Sequence, residues 1–136
     1  MKTFWDTNVF IYLIERHPLW YDRARSLLAE HLGGTGELIT SMLTLGELLS
    51  QPYRTGRREQ AEQYVELLTK TERLQLVTFD RLAAEHYANI RATTSLRQPD
   101  AIQLACAASA GATTFITNDQ RLWDLKVAGI DTICGL

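Results

Sequence analysis

At 136 residues the chain fits one domain, and its 46% hydrophobic and 22% charged content is ordinary for a soluble globular protein, with no low-complexity tract. It contains no apolar run of the roughly 18 residues a membrane span needs, its start lacks the basic-then-apolar layout of a signal peptide, and its two cysteines, Cys106 and Cys134, make no disulfide framework, so a reducing cytoplasm is the expected setting. The net charge of −2 would ordinarily count against a nucleic-acid partner, but setting aside four acids discussed below turns it into +2, so whole-chain charge decides nothing.

In chain order, Lys2–Trp5 reads as a short buried strand that stops at Asp6-Thr7-Asn8. The helix predicted after Asn8 carries Val9, Phe10, Tyr12, Leu13 and Ile14, apolar nearly all round, and should be deeply packed until His17-Pro18 ends it. A second helix over residues 20–32 spaces Ala24, Leu27, Leu28 and His31 along one face, and Gly33-Gly34-Thr35-Gly36 breaks the chain. Residues 37–40 form a second strand, and Ser41 or Thr40 caps a helix over Met42–Ser50 with Glu47 in its interior. Pro52 and Gly56 bracket a break containing Arg54, Arg57 and Arg58, after which Ala61, Tyr64, Val65 and Leu68 mark another helix face.

Leu74–Thr78 alternates as a third strand, and Asp80 caps a helix running to about Arg91. A polar loop leads to Pro99, suited to a first helical position, so Pro99-Asp100 opens an Ala-rich helix reaching Ala110. Thr114–Thr117 is a fourth strand ending at Asn118-Asp119, and after a turn through Leu122-Trp123 residues 131–133 read as an edge strand. Short strands alternating with helices predict a single α/β domain over residues 1–136. The expected architecture is a three-layer sandwich around a mostly parallel sheet of four to five strands.

On that plan Asp6 and Asp119 follow parallel strands, and Asp100 opens a helix leading into a strand, so all three emerge at one sheet edge. Ligands of open α/β sheets bind at that edge. Each acid alone has an ordinary explanation: Asx residues bond their own turns, and an acid in a first helical turn complements the helix dipole. Glu47 alone would be an ordinary solvated helix residue, but Met42, Leu43, Leu45, Leu48 and Leu49 leave its helix little exposed surface to give it. Four carboxylates in one cleft need a cation or a raised pKa, and an oxygen-only donor set suits Mg²⁺ or Mn²⁺. Such a cluster activates water for phosphodiester cleavage.

The strings FWDTNVFIYLIE, TLGEL and PDAIQLACAASAGATTFITND resemble the PIN domain, and the short single-domain form resembles its VapC-type toxins. The match covers nearly the whole chain, and DAIQLACA followed by TFITND is its most specific part. Carried over position by position, the resemblance assigns the metal-binding, catalytic acids to Asp6, Glu47, Asp100 and Asp119, with Asp124 as an alternative to Asp119. Asn8 matches a residue bracing the site, and Thr117 and Asn118 match those shaping the loop of the last acid. The resemblance implies a Mg²⁺- or Mn²⁺-dependent endoribonuclease, with one or two ions, that leaves a 5′-phosphate and a 3′-hydroxyl. It also implies a homodimer and a small cognate antitoxin, with tRNA or ribosomal RNA loops, or mRNA, as substrate.

Arg54, Arg57, Arg58, Arg91 and Arg97 are candidate contacts to RNA phosphates, although an ordinary solvated face explains them as well. His17, His31 and His86 are scattered and read as structural; Trp5, Trp20 and Trp123 each stand beside apolar residues and read as core. Two other acid-based designs fit less well. A receiver-like Mg²⁺-binding domain needs a lysine after a late strand, and Lys126 does not follow one; a haloacid-dehalogenase-type phosphatase needs an acid two residues after the first, where Asn8 stands.

Overall fold

The computed structural model describes residues 1–136. Five strands, β1 (Lys2–Trp5), β2 (Glu37–Ser41), β3 (Leu74–Val77), β4 (Thr114–Ile116) and β5 (Thr132–Cys134), form one sheet in the order β3-β2-β1-β4-β5. Every neighbouring pair is parallel, with Phe4 level with Ile39 on one side and Phe115 on the other. Six helices connect them: α1 (Thr7–Ile14), α2 (Tyr21–Gly33), α3 (Met42–Thr55), α4 (Arg58–Lys70), α5 (Arg81–Thr93) and α6 (Gln98–Ser109). The expected α/β class holds, with all five strands present.

The chain runs outward from β1 to β2 and β3, then jumps back across β1 to β4 and β5. The direction of winding therefore reverses between β1 and β4. With crossovers of one hand, that reversal sends the helices on either side of it to opposite faces. The core divides accordingly. Ala83, Ile90, Leu104 and Ala105 of α5 and α6 pack with Phe4, Ile39 and Phe115, while Val9, Phe10, Ala24, Leu48, Tyr64 and Leu68 of α1–α4 pack with Trp5, Leu38 and Ile116. The Phe4 and Phe115 rings stack at 5.0 Å between centroids, pinning β1 to β4. Burying side chains of this size contributes roughly 1.5–3 kcal/mol each, so the strands that frame the reversal are well anchored.

Side-chain caps start α1, α3 and α5. Ser41 Oγ accepts from Thr44 N at 3.2 Å and caps α3, and Asp80 Oδ1 accepts from Ala83 N at 2.9 Å and caps α5. In α6, Ala101, Ala105 and Ala107 are wholly buried, because a methyl side chain lets the helix backbone lie close to the sheet.

Three expectations need correction. The helix bearing Glu47 does not break at Pro52: α3 continues to Thr55 with Pro52 buried inside it, and ends where Gly56 takes a left-handed φ of 68°. The proline costs one backbone bond, which packing of its ring offsets. Arg54 consequently lies in the last turn of α3, and Arg57 and Arg58 open α4. Helix α1 stops at Ile14, ahead of His17-Pro18, since Arg16 adopts φ 51° and turns the chain. It is also less deeply packed than its composition suggested, with only Val9 and Phe10 fully buried.

Candidate active site

Asp6 stands immediately beyond the central strand, at the reversal between β1 and β4. Its backbone N–H donates to Ile116 O at 2.9 Å, which ties it to the end of β4. Its carboxylate is held at both oxygens: Thr7 N donates to Oδ1 at 2.9 Å and Thr117 Oγ1 donates to Oδ2 at 2.8 Å. Burial holds the Asp6 carboxyl above the usual carboxylate range. The Thr117 and Thr7 hydrogen bonds pull it back down, and the charges of Glu47 and Asp100 add to the rise. A desolvated acid facing two further acids is a site where a cation is electrostatically favoured.

Contrary to the expectation from its apolar neighbours, α3 does have a solvent-facing side, and Glu47 is exposed on it; its Oε1 accepts from Thr7 Oγ1 at 2.7 Å. Thr7 thus links Asp6 through its backbone to Glu47 through its hydroxyl. Asp100, in the first turn of α6, has a side chain only 18% exposed and faces Arg97 Nε at 3.9 Å and Arg121 Nη2 at 3.8 Å. Asp119 follows β4 and is gripped by Arg121, with Nε 2.9 Å from Oδ1 and Nη2 2.5 Å from Oδ2. That hydrogen-bonded guanidinium holds Asp119 below the usual carboxylate range. As they stand, no three His, Cys, Asp or Glu side chains converge tightly enough to enclose an ion.

Underneath the acids runs a polar network that the chain pattern did not reveal. Gln103 is 3% exposed. Its Oε1 accepts from Ser41 Oγ, and its Nε2 donates to Thr44 Oγ1 at 2.7 Å and, more weakly, towards Thr7 Oγ1 at 3.4 Å. Thr40 Oγ1 lies 2.8 Å from Thr44 Oγ1 and donates to Trp5 O at 2.9 Å. One amide therefore joins α6, β2, α3 and α1, the elements that carry Asp100, Glu47 and Asp6. A signal was present in the sequence: Gln103 falls one turn after Asp100, on the same helix face, among small apolar residues that would otherwise be core.

The supporting residues divide. Thr117 is buried and bonded to Asp6, and its Oγ1 also accepts from Asp119 N at 3.1 Å. Asn118 instead holds the end of the chain, its Oδ1 accepting from Leu136 N at 2.9 Å while its Nδ2 is buried without a partner. Asn8 lies half-buried in the first turn of α1, and Asp124 is exposed beyond the 3-10 turn Gln120–Leu122. Of the arginines, Arg97 is at the acids. Arg91 is on α5 against Tyr87, with its guanidinium 5.7 Å from the ring centre. Arg54, Arg57 and Arg58 are at the α3–α4 junction, where Arg58 lines a groove of about 770 Å³ that holds none of the four acids. Of the tryptophans, Trp5 is buried as expected, whereas Trp123 is 39% exposed and donates from Nε1 to Thr117 O at 2.9 Å.

Residues 3–127 match the model of the PIN domain. The chain belongs to the PIN domain family. No curated protein matches it in sequence. Among solved structures, this PIN domain is similar to VapBC2 from Rickettsia felis bound to a DNA fragment from its promoter, with a TM-score of 0.75 at 20% identity over 100% of this chain and 99% of the other. It is similar to VapBC-1 from nontypeable Haemophilus influenzae, with a TM-score of 0.68 at 26% identity over 93% and 96% of the two chains. It also shares the fold of Mycobacterium tuberculosis VapC20, a Sarcin-Ricin loop cleaving toxin, with a TM-score of 0.68 at 16% identity over 91% and 96%. No helix of this PIN domain is long and apolar enough to cross a membrane.

Proposed function

We propose that this PIN domain is the toxin of a VapBC-like pair, a Mg²⁺- or Mn²⁺-dependent endoribonuclease that a small antitoxin keeps inactive. The observation that carries this reading is the Asp6 carboxylate, desolvated at the winding reversal, fixed at both oxygens and facing Glu47 and Asp100. The donor set fits a hard divalent ion, because the four acids offer only oxygen and an ion would relieve the repulsion that Glu47 and Asp100 exert on Asp6. Asp6, Glu47 and Asp100 would hold it, with Asp119 completing the set. When bound, the ion supplies an activated water and a stabilised leaving oxygen for hydrolysis of an RNA phosphodiester.

The protein's own contribution is positional. Thr7 and Thr117 aim the Asp6 oxygens, Thr7 steers Glu47, and Gln103 keeps the helices that carry the acids in register. Around the rim, Arg97 is placed to meet phosphate oxygens of an approaching strand, a contact that orients without reading sequence. The likeness to VapBC complexes supports an antitoxin as partner, and the likeness to a Sarcin-Ricin loop cleaving toxin supports a structured RNA loop as substrate. A homodimer is part of the same proposal.

The test is to incubate purified protein with tRNA and ribosomal RNA in Mg²⁺, in Mn²⁺ and in excess chelator, and to map the fragment ends. Cleavage with either metal, leaving 5′-phosphates, and none with chelator or in Asp6→Asn, is the expected result. Cleavage that persisted in chelator would overturn the metal-dependent reading, and undiminished cleavage by Asp6→Asn would remove Asp6 from the site.

A further inference from the structure

Arg121 has no role in the reading above, yet no cation in the molecule is more closely engaged with the acids. Its Nε and Nη2 take both oxygens of Asp119, at 2.9 and 2.5 Å, and the same Nη2 lies 3.8 Å from Asp100 Oδ2. The backbone N–H of Arg121 adds a third bond to Asp119 Oδ1 at 3.1 Å. A planar fork on a carboxylate is the strongest arrangement an arginine makes, because two parallel N–H···O bonds and full charge act together. Here the fork occupies the oxygens that Asp119 would offer to an ion, and its outer nitrogen points across to the next acid.

We propose that Arg121 is an internal counter-cation that competes with the divalent ion for Asp119 and Asp100, and so sets how tightly the site takes metal. The inference rests on the metal-site reading given above. An incoming ion that uses Asp119 must first break the Arg121 fork. Since the Arg121 side chain is 63% exposed, it is free to swing out to solvent once released. The displaced guanidinium then stands at the lip of the cleft, where an RNA phosphate offers it an equivalent anion. Arg97 provides the comparison. It is also cationic and also near Asp100, at 3.9 Å, but it makes no hydrogen bond to any acid of the site.

The experiment measures Mn²⁺ uptake directly, by electron paramagnetic resonance of the free ion, on wild type, Arg121→Gln, Arg121→Lys and Arg97→Gln. An exposed ion pair is worth little, so the expected gain is modest: about five-fold tighter Mn²⁺ binding by Arg121→Gln. Arg121→Lys, which keeps the charge but loses the fork, should fall between wild type and Arg121→Gln. Arg97→Gln should change affinity by less than Arg121→Gln. Equal or weaker binding by Arg121→Gln overturns the proposal, and so does a gain in Arg97→Gln as large as that in Arg121→Gln, since the effect would then be general charge. No Mn²⁺ uptake by wild type or any variant at millimolar concentration would instead sink the metal site on which the proposal rests.

Discussion

Thr117 Oγ1 donates to Asp6 Oδ2 at 2.8 Å, joining the residue after β4 to the residue after β1 across the point where the fold reverses direction. The same oxygen accepts from Asp119 N at 3.1 Å. One buried hydroxyl therefore orients the first acid by donating and the last acid's loop by accepting. A residue that only filled space would do neither.

Thr117→Val keeps the shape and removes both bonds. The valine variant should lose about 1–3 kcal/mol of stability, the usual cost of leaving a buried polar partner unpaired, as read from urea denaturation. Its RNA cleavage should fall roughly 10- to 100-fold, the scale seen when a residue orienting a metal ligand is lost. Wild-type cleavage in a correctly folded Thr117→Val protein would show that Asp6 needs no such support.

Asp6 also predicts a pH dependence of stability. Its carboxyl titrates above 3.8 in the folded protein, chiefly because burial disfavours the charged form. Between that value and its folded value the native state binds more protons than the unfolded state, so this group's contribution to stability falls as pH rises. The contribution is fully present below 3.8 and is lost as pH climbs through the raised folded pKa. Asp6→Asn removes the buried charge, so the variant should be more stable than wild type at neutral pH in chelator. That advantage should shrink towards pH 4. Melting curves across this range check it; a variant equally destabilised at every pH would show that the hydrogen bonds outweigh the desolvation.

Gln103 makes a larger structural claim. Gln103→Ala would leave a cavity in α6 and strip partners from Ser41 and Thr44, two of the least exposed polar residues in the protein. The cavity and the unpaired hydroxyls together should cost on the order of 3 kcal/mol. Gln103→Met, which restores most of the volume, should recover part of this. If both variants were equally unstable, packing volume would not be a separable part of what Gln103 contributes.

The sequence was most legible where one physical signal acts alone. The strands were short apolar runs between turn residues, Ser41 and Asp80 marked helix starts by capping their own first turns, and Pro99 marked the first turn of α6 by its fixed φ. Pro52 misled because a local rule against proline in helices was outweighed by burial against a face the sequence does not display. Asp6 stood out only in company with Glu47, Asp100 and Asp119, since a turn explains a lone acid at a strand end. The roles of Gln103 and Arg121 could not be read, even though the place of Gln103 one turn after Asp100 was visible, because each arises from contacts such as Gln103 with Ser41 or Arg121 with Asp100, which exist only after the helices pack on the sheet. Asn118 shows the same limit in reverse: its place beside Asp119 suggested the acid loop, and the fold employs it to fasten Leu136.

That fastening gives the last prediction. Gly135 has no room for a side chain: a β-carbon there would come within 2.5 Å of Trp123 Cζ2 and 2.9 Å of Asn118 Oδ1. Trp123 cannot yield easily, since its indole N–H is spent on Thr117 O at 2.9 Å, and Asn118 Oδ1 is spent on Leu136 N. Gly135→Ala must therefore push the chain end away from Asn118 or rotate Trp123 away from Thr117. Overpacking of this kind costs about 1–3 kcal/mol, and thermal melting should show it. Trp123 fluorescence should shift at the same time, and, because Thr117 is bonded to Asp6 and Asp119, cleavage should weaken even though Gly135 lies on the segment after β5, apart in sequence from the four acids. Unchanged stability and fluorescence in Gly135→Ala would mean that the segment after β5 relaxes freely and plays no part in holding the site.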